Sequence, residues 1–218
     1  AVGKLAKKLL HNHQEILVSK QSITADTIEH VIYPVEERRK IELFLELLDE
    51  NNWFQVLVFT STKEQADKLK AHLRRFSAAI CHADKSQGTR RRAIADFKSG
   101  KVQILIATEV AARGLDIQGL EYVINFNLPY LAEDYVHRIG RAGRAGQEGR
   151  AISFVSREEE RSLDSIQRLI GKKIKRVHRD GFEVNYRDEL VKKIASTKRP
   201  MRKNKASQTT IKKRKSDK

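Results

Sequence analysis

The chain has 218 residues, with 44 Lys+Arg against 28 Asp+Glu and a formal net charge of +16. That length holds one domain of ordinary size plus extras, and a pI near 10 favours a polyanionic partner, either nucleic acid or an anionic membrane surface. No apolar run is long enough to span a bilayer, no signal-peptide pattern opens the chain, and a lone cysteine, Cys81, excludes an internal disulfide framework and suits a reducing, cytoplasmic setting.

In chain order, "KLAKKLL" reads as a short helix and "EILVS" as a short strand, followed by the polar linker "SKQSITAD" at 19–26. Residues 1–26 therefore look like the end of a preceding unit plus a linker. The first residue, Ala1 rather than Met, points to a piece of a longer polypeptide. "EHVIYPV" (29–35) predicts a strand, and residues 36–50 a helix with a leucine stripe. "QVLVFT" (55–60) is a short β-branched run, followed by a helical pattern through Ala66, Leu69 and Leu73. "SAAIC" (77–81) precedes a second such pattern through Ala93, Ile94 and Phe97, ended by Gly100. "VQILIAT" (102–108), "YVINF" (122–126) and "RAISFV" (150–155) are further strands, and a helix over 157–170 closes the series. Near-continuous apolar strands alternating with amphipathic helices predict an α/β fold, a parallel sheet with helices on both faces. We place this domain at residues 27–177 and a C-terminal extension at 178–218. The last stretch, 196–218, carries ten Lys/Arg and one acid. It has too little apolar side chain to offset its ordering entropy, so it reads as a disordered basic tail.

In open parallel sheets, ligands bind beyond the carboxyl ends of the strands. The unusual residues of this sequence fall there: Thr60, Ser61 and Thr62; His82, Asp84, Gln87 and Arg90; Thr108, Arg113 and Asp116; His137, Arg141 and Arg144. Hydroxyls, arginines and helix N-termini along one edge suit phosphates. Gln87 and Arg90 lie one helical turn apart on one face. Gly114 permits a tight backbone path, and Asp116 either accepts from ribose hydroxyls or ends a turn. No His/Cys cluster has metal-ligand spacing, so no protein-bound metal is expected. The strongest signal is "HRIGRAGR" at 137–144. The spacing predicts arginines projecting from one face at the end of a helix. A C-terminal dipole needs one or two cations, not four, whereas planar guanidinium groups fit phosphate oxygens bidentately.

These strings resemble a known family. "HRIGRAGR", "ATEVAARGLD" and "QGTR", with "VLVFTST" upstream, are similar to motifs VI, V, IVa and IV of DEAD-box ATP-dependent RNA helicases. "KSQGTRRRAIADFKSG" and "LPYLAEDYVHRIGRAGR" resemble the bacterial RhlE-like subgroup most. The resemblance runs from about residue 1 to 175. It implies the second RecA-like domain of such an enzyme, with residues 1–19 as the end of the first. The chain contains neither a GxxxxGK[ST] loop nor an Asp-Glu-Ala-Asp string, and in the family both belong to that first domain. The resemblance implies ATP with Mg2+, the metal held mainly by the first domain. Partners are RNA, through backbone contacts of weak sequence preference, and the first RecA-like domain of the same polypeptide; no membrane is implied. By position, Arg141 and Arg144 match the arginines that reach the γ-phosphate, and His137 the histidine that couples them to the acidic motif. Gly114 and Asp116 match positions near the ATP ribose. Ala83, Asp84, Gln87, Arg90, Thr108 and Arg113 match RNA-backbone positions, and Phe59 a packing residue behind an arginine finger. The family commonly has Gly where this chain has Ala83, and Asp where it has Glu109. The implied activity is RNA-stimulated ATP hydrolysis with local duplex unwinding, which this fragment would not perform alone. Two alternatives stay open on the residues alone: half of a DNA helicase or translocase, and a non-catalytic nucleic-acid-binding module.

Overall fold

The computed structural model describes residues 28–112, 117–143 and 149–184. Seven strands form one all-parallel sheet: β1 (Ile28–Pro34), β2 (Val56–Thr60), β3 (Ala78–Cys81), β4 (Ile104–Thr108), β5 (Tyr122–Asn125), β6 (Gly149–Val155) and β7 (Lys175–Arg176). Their order across the sheet is β3-β4-β2-β5-β6-β1-β7. The intervening helices are α1 (Lys40–Glu50), α2 (Lys63–His72), α3 (Gln87–Lys98), α4 (Glu109–Ala112), α5 (Ala132–Ile139) and α6 (Glu160–Ile170).

The apolar strand runs are continuous because both sheet faces are covered; every residue of β2 is buried. On one face α3, α5 and α6 contribute Phe97, Tyr135, Ile139, Leu163 and Ile166 to a core with Phe59, Leu105 and Val123. On the other face Leu43, Phe44 and Leu47 of α1 and Ala66 and Leu69 of α2 pack on Val58, Ile106 and Phe154. Trp53 is buried there and stacks on Tyr122 with ring centroids 5.0 Å apart.

Helix starts and stops follow local chemistry. Thr62 caps α2 in a reciprocal box with Gln65. The Ser86 hydroxyl accepts from the Thr89 amide at the start of α3. Gly100, with φ 76°, and Gly171, with φ 71°, take the left-handed turns that end α3 and α6. The helices read over 36–50 and 157–170 each open as a 3-10 turn, at Glu37–Arg39 and Arg157–Glu159. One strand is invisible in the sequence pattern: β7 is two exposed basic residues, held by backbone pairing to Val31 and Ile32 on the open edge of β1. Beyond it, Phe182 is buried on the α1 face beneath the Arg39 guanidinium, 4.3 Å away. Arg179 donates to Glu46 at 2.6 Å and also to Glu50. The stretch 178–184 thus packs on the body of the fold. Residues 1–26 and the tail 196–218 lie outside the described residues.

Candidate functional site

The C-terminal edge of the sheet gathers its residues because parallel strands all end on the same side. Thr60 of β2 is in register with Thr108 of β4, and Phe59 with Asn125 of β5. Beside β3, the polar side chains pair among themselves. Lys63 reaches Asp84 at 2.7 Å, and Lys85 reaches Asp67 at 3.1 Å. The two lysines hold these carboxyls below the usual aspartate range. His82 is buried, 1% exposed, with Nε2 3.4 Å from Asp67. Arg90 donates to the Gln87 side chain at 3.1 Å, so these two do share a helix face. Arg90 Nε and His82 Nδ1 are buried without a hydrogen-bond partner. Ala83 is exposed. The Thr60 hydroxyl donates to the Thr62 carbonyl, and the Thr62 hydroxyl caps α2. Both of those hydroxyls serve local turns.

The centre of the edge is built around an arginine that the sequence pattern did not single out. Arg138 of α5 is 3% exposed; its Nε donates to Glu109 at 2.6 Å. Its Nη1 donates to the Asn127 carbonyl at 2.8 Å and to the Asn125 side chain at 3.3 Å. Its guanidinium carbon lies 5.0 Å from the Phe59 ring centroid. Burial lowers the Arg138 pKa from its usual value, with the Glu109 carboxylate opposing that shift. Glu109 therefore joins the start of α4, directly after Thr108, to α5. Phe59 backs Arg138, one helical turn before Arg141. Helical spacing was the available signal: Tyr135, Arg138 and Ile139 form the i, i+3, i+4 buried stripe of α5. A second buried cation, Lys40, lies 2.7 Å from Glu37 and 2.5 Å from Glu159. Glu37 accepts from Asn127 at 3.1 Å, and Glu159 from the Leu128 amide at 2.9 Å. This network ties the segments leaving β1, β5 and β6.

The geometry of "HRIGRAGR" differs from the sequence expectation. Helix α5 ends at Ile139, and Arg141 lies in the turn beyond it rather than on its surface. The amides of Arg141 and Ala142 bond to carbonyls three residues back, which tightens the chain into a turn. The Arg141 carbonyl then accepts from the Leu120 amide at 3.0 Å, and the Gly143 amide donates to the Leu120 carbonyl at 2.9 Å. Tertiary pairing to Leu120 replaces the helix ladder here. Gly143 takes φ 70°, open to glycine at little cost. Gly149 was also missed: a Cβ there would lie 2.8 Å from the Ala142 carbonyl carbon and closer still to the Gly143 amide. His137 projects outward, its side chain 68% exposed and 3.7 Å from Asp134. Arg144, Arg113, Gly114 and Asp116 lie outside the described residues.

Among the described residues no group of three or more His, Cys, Asp and Glu is placed to hold a metal ion. None of the described helices is long and apolar enough to cross a membrane. Among the described residues this edge gathers the Lys63–Asp84 and Lys85–Asp67 pairs, the buried Arg138 anchor and the turn bearing Arg141.

The sequence pattern of the helicase conserved C-terminal domain matches residues 39–146. The chain is 38% identical over 175 residues to the ATP-dependent RNA helicase RhlB of Pseudomonas aeruginosa, covering 79% of this chain and 44% of that protein. It thus spans less than half the length of that relative. The E. coli DEAD-box protein SrmB, solved bound to the regulator of ribonuclease activity A, superposes with a TM-score of 0.68 at 33% identity. That match covers 73% of this chain and 96% of the SrmB chain. S. cerevisiae Dbp5, solved bound to RNA and ADP BeF3, superposes with a TM-score of 0.72 at 32% identity, over 89% of this chain and 51% of that one. A parallel sheet of this order and these matches together show that the chain belongs to the DEAD-box RNA helicases, as their RecA-like C-terminal domain.

Proposed function

We propose that this chain is the second RecA-like domain of an ATP-dependent RNA helicase. It supplies Arg141 and Arg144 to the γ-phosphate of ATP bound mainly by a first RecA-like domain of the same polypeptide. In this reading Gly114 and Asp116 flank the ribose, and His137 couples the arginines to the acidic motif of the first domain. Ala83, Asp84, Gln87, Arg90, Thr108 and Arg113 line a track for RNA sugar and phosphate. Mg2+ belongs to the first domain, and no step here runs through it. The likeness of "KSQGTRRRAIADFKSG" to RhlE-like proteins belongs to the same proposal, as does a cytoplasmic setting.

One observation carries this reading: the turn bearing Arg141 is pinned at both ends. Arg138 anchors its helix to Glu109, next to Thr108, and Leu120 brackets the turn by two backbone hydrogen bonds. A guanidinium on a fixed backbone loses little freedom when it meets a phosphate, so its effect is concentrated in the transition state. An arginine finger of this kind is worth about 10³–10⁵ in rate, roughly 4–7 kcal/mol. RNA bound at Thr108 and Arg90 favours the same closed arrangement of the two domains, so RNA stimulates hydrolysis. Backbone contacts carry little sequence information, so unwinding is local and weakly selective.

The test uses the full-length polypeptide. Arg141→Ala and Arg144→Ala should each lower RNA-stimulated ATP turnover by about 10³ or more while RNA affinity stays near wild type. Normal turnover in both variants refutes the arginine-finger role. The 218-residue chain alone should hydrolyse no ATP with or without RNA.

A further inference from the structure

At the opposite edge of the sheet, α6 ends on Gly171 and the chain turns through Lys172 and Lys173 into β7. There the surface forms an open groove of about 520 Å³, lined by Asp164, Gln167, Arg168, Gly171, Lys172 and Lys173. Lys175 stands exposed on β7 just beyond. Three cations, Arg168, Lys172 and Lys173, therefore line the groove with one carboxylate. Arg176, the remaining cation of the stretch, is bonded twice to Glu160. Lys173 and Lys175 have no ion-pair partner among the described residues. Two ordinary explanations account for part of this charge. A helix C-terminus carries about half a negative charge, which one cation answers, and a lysine on an edge strand discourages pairing with other chains. Lys173, which lines the groove, remains beyond both.

We infer that this groove is a second binding site for the phosphodiester backbone of RNA, separate from the C-terminal edge of the sheet. The ligand chemistry follows from the residues. Flexible ammonium groups around an open groove suit a row of mobile phosphates rather than one shaped anion. Strand β6 has seven residues, so the two edges are about 23 Å apart at about 3.3 Å per residue. A stacked RNA strand, rising about 3.4 Å per nucleotide as a helical strand does, must exceed roughly seven nucleotides to touch both. The groove acts as an anchor for long RNA while a short segment occupies the edge bearing Arg90 and Thr108. The expected length dependence rests on the RNA track proposed for that edge.

The experiment compares the 218-residue chain with K172E/K173E and K172Q/K173Q variants. Fluorescence anisotropy reads binding of about 6-nucleotide and about 30-nucleotide oligouridylates across 50–200 mM salt. With the long RNA, the log–log salt slope should shrink by about 1.4 in both variants, about 0.7 per single-strand phosphate no longer neutralised. Wild type should then lose about sevenfold more affinity than the variants over that range. The short RNA should bind all three proteins alike. Equal slopes on long RNA overturn the inference, as does an equal loss on both RNAs. Labelled poly-glutamate binding wild type more tightly than the long RNA, and losing that binding in the variants, overturns it in favour of an acidic protein partner. Arg90→Ala separates the two readings: if it leaves short-RNA binding unchanged, the track at the C-terminal edge fails, whatever the groove does.

Discussion

Removing Glu109 tests the centre of the site, because it strips Arg138 of its carboxylate. Arg138 keeps two oxygen acceptors, the Asn127 carbonyl and the Asn125 side chain, but both are neutral. Breaking a buried ion pair by deleting one partner costs about 3–5 kcal/mol. The Glu109 side chain is 19% exposed, and water reaching the vacated space relieves part of that cost. We therefore expect Glu109→Ala to destabilise the domain by about 3 kcal/mol. At about 2–4 °C per kcal/mol for a domain of this size, Tm should fall by roughly 6–12 °C. Trp53, the single tryptophan of the chain, is buried and gives the signal for urea unfolding. The midpoint should drop with the slope m unchanged. Replacing the pair together, Glu109→Leu with Arg138→Met, should recover most of the loss, since no buried charge is then left unpaired. In the full-length protein that recovered variant should still lack full RNA stimulation of ATP hydrolysis, because nothing then fixes α5 to the segment after Thr108. A loss below about 1 kcal/mol for Glu109→Ala, or a double variant no better than the single, refutes the reasoning.

Gly149→Ala should push the Ala142–Gly143 turn off Leu120. ATP turnover in the full-length protein should then fall while the far-UV circular dichroism of the domain is retained; unchanged turnover would show that the turn tolerates displacement. The Asp84 carboxyl is held below its ordinary value of 3.8 chiefly by the hydrogen bond from Lys63. Its folded pKa is depressed, so its stabilisation is complete above that value and is lost as pH falls through the lower folded one. Asp84→Asn should leave a flatter acid limb in the stability profile below about pH 4, and an identical limb would count against the pair. Deleting 196–218 should weaken RNA binding and reduce the salt slope by about 0.7 for each single-strand phosphate that the tail neutralises; an unchanged slope would leave the basic tail with no part in binding.

Local chemistry made much of the fold legible. The five apolar runs from 55 onward became β2 to β6 within one or two residues, since a strand covered on both faces leaves a run that periodicity detects. The leucines of α1 and the Ala66–Leu69–Leu73 stripe are buried as their spacing requires. Gln87 and Arg90 met on one face because only a helical turn separates them. The string 137–144 named the family, since few other uses exist for so many cations among glycines.

The sequence by itself determined the alternation of strands and helices, the sheet edge on which the unusual residues gather, and the family. The tertiary structure alone decided how that edge is built. Arg138 looked like one of three equivalent arginines, yet it is the buried anchor. Its partners, Glu109, Asn125 and Asn127, come from two other segments, and no local pattern encodes which cation goes inward. The turn at Arg141 leaves the helix because Leu120, some twenty residues earlier, offers its amide and carbonyl. Strand β7 exists because β1 has an open edge, not because Lys175 and Arg176 favour extended structure. In each case the deciding hydrogen bond joins residues far apart in sequence, and propensity and spacing, which act over a few residues, do not reach it.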